Sequence, residues 1–428
     1  MSAIYLYDDA RAREFQPFAL TRPMADMVAG TALQRERWQT ALQMPVAGVI
    51  TSPHLAEFDE VGASPIVRGG IPAGSVIANA RFVPKLSVVQ LQSVDNSADL
   101  WLSGGRVVAA RTAREMGAEH FADGRRVIDD LGRSGVETAM LDGWWLEDVW
   151  DFVRLLPEQL TDDLLLYAKP AFGGVVAGSV VAPPPEHSVV IGDFPVLIAS
   201  HRRAAGHMVV EGATIEPHVV FDASLGAIHV GAGTTVQAFT RLVGPCYIGR
   251  HSTVLGERVA TCSVGDHCKV RGEISNSVMV GHANKAHDGF VGHSYLGRWV
   301  NLGAGTITSN LKNTYGPVML WTPRGMQDTG MQFLGTMFGD HAKTGIGTTL
   351  TTGTVLGAGA NVYGAQAPPK AVPPFAWGSA PPYEVYRLDK FLEVAERVMA
   401  RRHVTLSDRM RLQLTASHGA RWVVEQSE

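Results

Sequence analysis

A stretch near the middle of the chain combines two histidines with small residues at regular intervals. It runs from His287 to Thr306 and reads HDGFVGHSYLGRWVNLGAGT, with His287 and His293 six residues apart. The unperturbed pKa of an imidazole is about 6.5, so a histidine is a natural general base near neutral pH. Histidines also bind zinc, but a catalytic zinc site needs three well-placed ligands. The stretch is therefore a candidate for proton transfer or, with further ligands, for metal binding.

Mostly apolar residues before, within and after this stretch recur with the same spacing of six. In groups, the repeated positions are Val209, Ile215 and Phe221; Val230, Val236, Leu242, Ile248 and Val254; Val264 and Val270; Phe290, Leu296 and Leu302; and Phe338, Thr344, Leu350, Leu356 and Val362. An α-helix does not repeat in sixes, whereas a short strand followed by a tight turn does, and three such sides close one coil of a hexapeptide β-helix. The repeated side chain points into the prism, and small residues tolerate the corner that follows. We predict a left-handed parallel β-helix over residues 208–366.

The repeat is interrupted twice, and we expect extra residues to leave the prism as loops at both places. The first interruption lies between Val270 and Phe290, and the second runs from about Ile307 to Met337. A long insertion of this kind is either a binding element or a cap over an exposed coil edge. The histidines near the repeat lie three residues from an inward position, so their side chains should point outward; they are His251, His267, His287, His293 and His341.

The flanking regions lack the repeat. Over residues 1–200, apolar runs such as IYLY and VAGVI alternate with helix-like stretches such as TALQRERWQTAL, which predicts an α/β domain. Residues 367–428 begin with a proline-rich connector that we do not expect to remain in a strand ladder. They end in a helical tail with an amphipathic segment from Tyr383 to Arg402 and a second helix capped by Ser407.

Composition narrows the functional classes. The 37 Lys and Arg residues against 41 Asp and Glu residues give a net charge of −4, which argues against a nucleic-acid partner. No run of eighteen apolar residues occurs, so we expect no membrane partner. The start of the chain does not resemble a signal peptide. Three cysteines without a CxxC pair favour a reduced, cytoplasmic location.

The stretch AHDGFVGHSYLGRWVNLGAGTITSN resembles the acetyltransferase half of the bifunctional UDP-N-acetylglucosamine pyrophosphorylase/glucosamine-1-phosphate N-acetyltransferase family. The resemblance implies acyl transfer from acetyl-CoA, with His287 as general base. It implies that Ala304, with Gly303 and Gly305 beside it, lies at the acetyl-CoA pocket, where backbone N–H groups could stabilise an oxyanion. Related hexapeptide transferases form their pockets between neighbouring prisms, so we also expect a homotrimer.

The same resemblance implies substrate contacts. It places Asn301 at the sugar and acetyl-CoA pocket, assigns a sugar phosphate to Asn310, and makes Lys285 a phosphate contact. Phe290 and Leu311 stand where the family has an aromatic hydroxyl and a tyrosine. These two departures leave the acyl acceptor open.

Pieces from most of the chain resemble GlmU-like sugar nucleotidyltransferases, among them LYDD, LTRPMADMVAG, WLEDVWDFV and GPCYIG. The resemblance implies that residues 1–200 are a nucleotidyltransferase-like domain that binds a nucleotide or sugar nucleotide. Where such enzymes carry a glycine-rich phosphate loop, this chain reads DDARAREFQPFALTRP, with no glycine. Arg11, Arg13 and Arg22 could bind phosphate instead, and Asp8 and Asp9 could approach Mg²⁺. The alternative is that all five are ordinary surface charges and ion pairs.

Two other functions stay open at this point. A domain without the glycine-rich loop could bind a sugar nucleotide without turnover, as a regulatory protein. Gamma-class carbonic anhydrases also resemble this fold and bind zinc through three histidines across a trimer interface, for which His251, His282 and His287 are candidates. Metal analysis would test the zinc hydratase, and a panel of sugar phosphates with acetyl-CoA would separate enzyme from sensor.

Overall fold

The computed structural model describes residues 2–131, 137–167, 179–180, 187–199, 202–203, 209–210 and 212–423. They form two compact units, the first comprising Met1–Asp151 with Thr405–Arg421 and the second Phe152–Val404 with Trp422–Glu428. The first unit ends at Asp151, before the boundary at residue 200 expected from the sequence, and the described strands from Ser179–Val180 onward pair within the second unit. Among the described helices, none is long and apolar enough to cross a membrane.

The first unit is an α/β domain built on a six-stranded sheet. In sheet order its strands are Thr138–Met140, Leu100–Ser103, Arg106–Arg111, Val76–Asn79, Ile4–Tyr7 and Val46–Ile50. Two-stranded sheets pair Val28–Ala29 with Ala32–Leu33, Gly70–Ile71 with Met116–Gly117, and Phe82–Pro84 with Gly143–Trp145. The central strand Ile4–Tyr7 runs parallel to both neighbours, so its carboxyl end shares a sheet edge with theirs. This confirms the α/β prediction, including the strands IYLY and VAGVI.

Helices complete the two units. The α-helices are Gln34–Leu42, Val88–Ser93, Asp151–Arg154, Leu156–Tyr167, Leu388–Ala400 and Asp408–Gly419, and the 3₁₀ helices are Ala12–Glu14, Met24–Asp26, Pro53–Leu55, Ala118–Phe121 and Asp129–Leu131. The two tail helices were predicted, and the Ser407 side chain accepts a hydrogen bond from the N–H of Met410 as its N-cap. Helix Asp408–Gly419 belongs to the first unit, where Gln413 donates to the carbonyl of Thr21.

The second unit is a left-handed parallel β-helix whose coils have three sides, each continued as a sheet. Side one consists of Ser179–Val180, Val196–Ala199, Ile228–Val230, Cys246–Ile248, Ser263–Val264, Val278–Met279, Tyr295–Leu296, Thr336–Phe338, Thr354–Leu356 and Ala371–Val372. Side two consists of Thr214–Ile215, Thr235–Val236, Thr253–Val254, Lys269–Val270, Asn284–Lys285, Asn301–Leu302, Lys343–Thr344, Asn361–Val362, Ala376–Gly378 and Glu384–Val385. Side three consists of Val189–Ile191, Val220–Asp222, Thr240–Val243, Glu257–Ala260, Glu273–Ser275, Phe290–Gly292, Ile307–Thr308 and Thr349–Leu350.

Two antiparallel pairs lie outside these sides, Arg202–Arg203 with Val209–Val210 and Met319–Thr322 with Gly325–Asp328. Val209 was expected in the repeat but belongs to the first pair. The second pair is a hairpin within the long insertion that follows Ile307–Thr308. The loop predicted there is therefore confirmed.

The first predicted loop, between Val270 and Phe290, is wrong. The solenoid continues through this region, because Ile274 pairs with Val259, Met279 with Val264, and Lys285 with Val270. Some corners here contain one or two residues fewer than elsewhere, so the inward positions no longer recur in sixes. The shortening also moves the register, and Val291, which is fully buried, points inward where Phe290 was expected.

The proline-rich segment also departs from the prediction. Ala371 and Val372 pair with the preceding coil, and Trp377 pairs with Asn361. The prolines flank the two-residue strand Ala371–Val372 instead of interrupting it. The carbonyls of Lys370 and Val372 accept hydrogen bonds from the coil before, which no neighbouring proline prevents.

One corner of the solenoid carries a column of stacked rings formed by His251, His267, His282, Trp299 and His341, with centroid separations of 5.1, 4.8, 4.2 and 6.2 Å. All five residues adopt positive φ, between 53° and 63°. The ring of Phe391, from helix Leu388–Ala400, lies 5.6 Å beyond His341. His251, His267 and His341 lie outside the prism, as predicted, but His341 is only 6% exposed because this helix covers it.

Candidate functional site

His287 lies on the corner that joins side two to side three, and its side chain is exposed. Two contacts hold the backbone of this corner. The ammonium of Lys285 donates to the carbonyls of His287 and Asp288. The carbonyl of Asp288 also accepts a hydrogen bond of 3.0 Å from the N–H of Gly305 in the next coil. The structure therefore brings His287 and the segment Gly303–Gly305 to the same corner of adjacent coils.

Of the three amides in that segment, two are already used. The N–H of Gly303 bonds the carbonyl of Thr344 at 3.1 Å, and that of Gly305 bonds Asp288. Within the part of the chain that the structure describes, no hydrogen bond involves the N–H of Ala304. A developing oxyanion beside His287 could therefore use the Ala304 amide, but not those of Gly303 and Gly305.

Asn301 stands on the outer face of side two, beside this corner. Its Oδ1 accepts a hydrogen bond of 2.7 Å from the amide of Asn284 one coil earlier. Lys343 follows Asn301 one coil later, and burial lowers the pKa of this lysine to about 8. Sequence reasoning missed Lys343, although its place just before the inward Thr344 was a usable signal.

The side chain of Lys285 does not reach the protein surface, where a phosphate contact would have to lie. Its side chain takes the inward position on side two, paired with Val270, and the residue is 0% exposed. Burial lowers the pKa of its ammonium group. The sequence prediction failed because the shortened corners before residue 285 turn this side chain into the prism.

Asn310 lies at the other edge of side three. Its Nδ2 lies 2.9 Å from Nδ1 of His293, and the ring of Phe333 stacks on the same imidazole at 5.4 Å. Burial lowers the pKa of His293 to about 4, so this imidazole is neutral at pH 7. Within one chain, therefore, Asn310 partners His293 and does not share a corner with His287.

The first unit has a cavity of about 410 Å³ at the carboxyl ends of strands Ile4–Tyr7 and Val76–Asn79. Ligands bind at this edge in many α/β folds. Five arginines line it: Arg11, Arg81, Arg106, Arg125 and Arg126. The guanidinium groups of Arg106 and Arg81 lie 3.8 and 5.4 Å from the ring of Trp145. The basic side chains that line the cavity suit an anionic ligand such as a phosphate.

The two aspartates proposed for Mg²⁺ do not converge. Asp9 lines the cavity; burial opposes its ionisation, but hydrogen bonds from Arg81 and Asn79 outweigh this effect and lower its pKa. Asp8 is buried and accepts a hydrogen bond of 2.6 Å from Thr51, and burial raises its pKa to about 7. Among the described residues, no three His, Cys, Asp or Glu side chains are grouped to hold a metal ion. The two carboxylates therefore do not fit the magnesium site. Within one chain the histidines proposed for zinc do not meet either, because His251 and His282 lie in the ring column and His287 lies on another corner.

The three arginines proposed for phosphate differ in their positions. Arg11 lines the cavity and bonds Glu14. Arg13 donates to three backbone carbonyls, and Arg22, 1% exposed, pairs with Glu60 at 2.8 Å. Of the three, only Arg11 faces the cavity. The prediction of a phosphate contact is therefore wrong for Arg13 and Arg22, which instead bind other parts of the same domain. Sequence reasoning missed Arg81, Arg106, Arg125 and Arg126 because they reach the cavity from later strands and loops.

Residues 4–170 match the family model of sugar nucleotidyl transferases. The N-terminal domain is similar to this family. The match confirms the resemblance seen in the sequence of this region, and it spans the strands and loops that surround the arginine-lined cavity.

Relatives are similar over shorter stretches. A bifunctional sugar-1-phosphate nucleotidylyltransferase/acetyltransferase of Sulfurisphaera tokodaii is 33% identical over 91 residues, 21% of this chain and 23% of its own. The bifunctional protein GlmU of Burkholderia multivorans is 40% identical over 87 residues, 19% of this chain and 18% of its own. The chain thus spans about a fifth of the length of these relatives. An N-acyltransferase from Bacillus cereus, crystallised with dTDP and coenzyme A, covers 50% of this chain and 91% of its own at 13% identity, with a TM-score of 0.22, too low to compare the folds.

We predict that Arg22→Ala destabilises the nucleotidyl transferase-like domain by about 3 kcal/mol, because it leaves the carboxylate of Glu60 without its buried partner. Calorimetric unfolding measures the effect. Arg68→Ala is the control, since this arginine is largely exposed and its pair with Glu57 should contribute little. If Arg22→Ala unfolded like the wild type but bound nucleotide more weakly, Arg22 would be a ligand-binding residue after all.

Proposed function

We propose that this chain is a transferase with two separate sites acting on sugar phosphates or sugar nucleotides. The solenoid transfers an acetyl group from acetyl-CoA, and the N-terminal domain binds a nucleotide or sugar nucleotide and transfers a nucleotidyl group. One observation carries the first activity. An exposed imidazole, His287, lies on a corner fixed by hydrogen bonds, and the next coil presents the N–H of Ala304 at the same corner.

In the acyl transfer, His287 accepts the proton of the acceptor amine or hydroxyl as that atom attacks the thioester carbonyl. The N–H of Ala304 donates to the oxyanion of the tetrahedral intermediate. The intermediate collapses, the carbon–sulfur bond breaks, and the protonated imidazole returns its proton to the leaving thiolate. Asn301, beside this corner, is placed to orient the acceptor or donor through its amide.

The position of Asn310 supports a trimer. The resemblance assigns this residue to the sugar phosphate, yet within one chain it lies across side three from His287. A pocket built from His287 of one prism and Asn310 of another would bring both residues to one substrate. A heterologous contact of this kind can close into a ring, and a ring of three is the homotrimer expected from related hexapeptide transferases.

We therefore expect light scattering at micromolar concentration to give three times the chain mass of 46.0 kDa. The measurement is best made on the full chain at moderate ionic strength. A monomer under these conditions would contradict a pocket shared between prisms.

For the acyl transfer, we predict that His287→Ala lowers kcat by about 10²- to 10⁴-fold, the usual effect of losing a general base. Folding and assembly should be unchanged, because the side chain is exposed and its removal leaves no cavity in the core. Steady-state kinetics with acetyl-CoA and a panel of amino and hydroxyl sugar phosphates give the result.

His251→Ala is the control for this variant, since His251 is also an exposed solenoid histidine but lies on a different corner. His293 is less suitable because its imidazole contacts Asn310. Wild-type activity in His287→Ala would remove the proposed mechanism. An equal loss in both variants would point instead to a structural effect.

The N-terminal cavity supports nucleotide binding through its arginines. We expect Arg106→Ala to weaken the binding of a nucleoside triphosphate or sugar nucleotide by about tenfold, the value of one charge-assisted hydrogen bond. Solenoid activity should not change, since the two sites are built on separate units. Titration calorimetry measures the affinity, with Arg68→Ala as a control outside the cavity. Absence of nucleotide binding in the wild type would exclude this function for the domain.

One observation favours a regulatory alternative for this domain alone. Asp9, the one of the two proposed aspartates that lines the cavity, is engaged by Arg81, so the cavity favours recognition of an anion over binding of a metal ion. Binding without turnover of any nucleoside triphosphate and sugar phosphate pair would support a sugar-nucleotide sensor.

A further inference from the structure

One lysine occupies a position that is aliphatic in the coils before it. The inward residues on side two include Val236, Val254 and Val270, each paired with the next, and Lys285 pairs with Val270 in the same ladder. Val236, Val254 and Val270 are fully buried, and so is Lys285. An ammonium group therefore lies inside a prism that is filled mainly by apolar side chains.

The Lys285 ammonium contacts backbone oxygens of the corner that carries His287. Nζ donates to the carbonyl of Asp288 at 2.8 Å and to that of His287, and it lies 3.4 Å from the carbonyl of Arg271 one coil earlier. The carboxylates of Glu257 and Asp288 and the guanidinium of Arg271 are the nearby charges. The lysine thus binds the His287–Asp288 and Asp288–Gly289 peptide groups from within the prism.

Packing alone does not account for this choice of residue. A valine or leucine would fill the position, as in the neighbouring coils, and a buried ammonium carries a desolvation cost that only its hydrogen bonds offset. Those hydrogen bonds end on the residue proposed as the base and on the residue after it. Gly289, at a φ of 127°, has no Cβ, and one built there would lie 3.3 Å from Nζ and 2.3 Å from the carbonyl of Thr306. The corner is therefore closed tightly around the ammonium.

We propose that Lys285 is a positioning residue for His287: by binding the His287 and Asp288 carbonyls from inside the prism, it fixes the backbone that aims the imidazole outward. This inference rests on the proposed acyl transfer. Lys285 contacts no substrate in this arrangement. Its role differs from that of the phosphate contact which the resemblance implies.

The test compares Lys285→Met, which keeps an unbranched chain without the charge, with Lys285→Gln, which keeps one donor for the corner. The measurements are kcat, KM for acetyl-CoA and for the acceptor, and the amide hydrogen exchange of Glu273 and Gly305, whose N–H groups donate to the carbonyls of Gly289 and Asp288 at this corner. Val362→Ala is the control, because it removes an inward side chain from the same side two, away from His287.

We expect Lys285→Met to lower kcat by about tenfold to a hundredfold, the effect of displacing a catalytic group, with both KM values within about twofold of wild type. Amide exchange at the corner should become faster. Lys285→Gln should lie between Lys285→Met and wild type both in kcat and in exchange rate. Val362→Ala should keep kcat and the corner exchange. A raised acceptor KM with unchanged kcat would overturn the inference in favour of a phosphate contact.

The exchange measurement separates this inference from the proposed function. If the wild type transfers no acyl group to any acceptor, the proposed function fails. Faster exchange confined to the corner in Lys285→Met would then still support the role of Lys285 in fixing it. Unchanged exchange overturns the inference whether or not the chain is an acyltransferase.

Discussion

Backbone hydrogen bonds from each coil to the next are the constraint on which the solenoid depends. The N–H of Gly249 bonds the carbonyl of Val264, and that of Gly265 bonds the carbonyl of Met279, so each coil is held against its successor. This ladder satisfies the strand backbones and leaves only the inward side chains of each strand to be specified. Corners and outward positions are therefore free to carry function. The long insertion with its hairpin can leave the prism without breaking the ladder.

The corners are also where the chain accepts strain. Non-glycine residues with positive φ are unfavourable, yet His251, His267, His282 and His341 all adopt it. Their rings stack on one another and on Trp299, so contacts along the column offset part of the local cost. A histidine near a hexapeptide repeat is thus not by itself a sign of catalysis. His287 differs because it has no place in this column and sits beside a free amide of the next coil.

The sequence was informative wherever the repeat kept its period. Steps of six placed Val230 to Val254 and Phe338 to Val362 correctly, since the inward contact is the same in each coil. The prediction failed where corners shortened, because the loss of one or two residues moves every later side chain to a new position; Lys285 and Val291 are the consequences. In the N-terminal domain, arginines near the first strand were visible in sequence. Which of them face the cavity depends on distant partners such as Glu60, which local spacing does not reveal.

The two proposed sites would recognise their ligands by different physical means. The solenoid site is made largely of backbone, with an amide of Ala304 and carbonyls bound by Lys285, so its geometry follows from the coil ladder. In place of a glycine-rich loop, the N-terminal cavity has guanidinium groups from separate strands and loops, two of them packed on Trp145 and one bonded to Asp9. Side-chain recognition of this kind tolerates the loss of a phosphate loop, because charge-assisted donors need no close approach of the backbone. In this arrangement the carboxylate of Asp9 neutralises Arg81, and a carboxylate engaged in this way is not available to bind a metal ion.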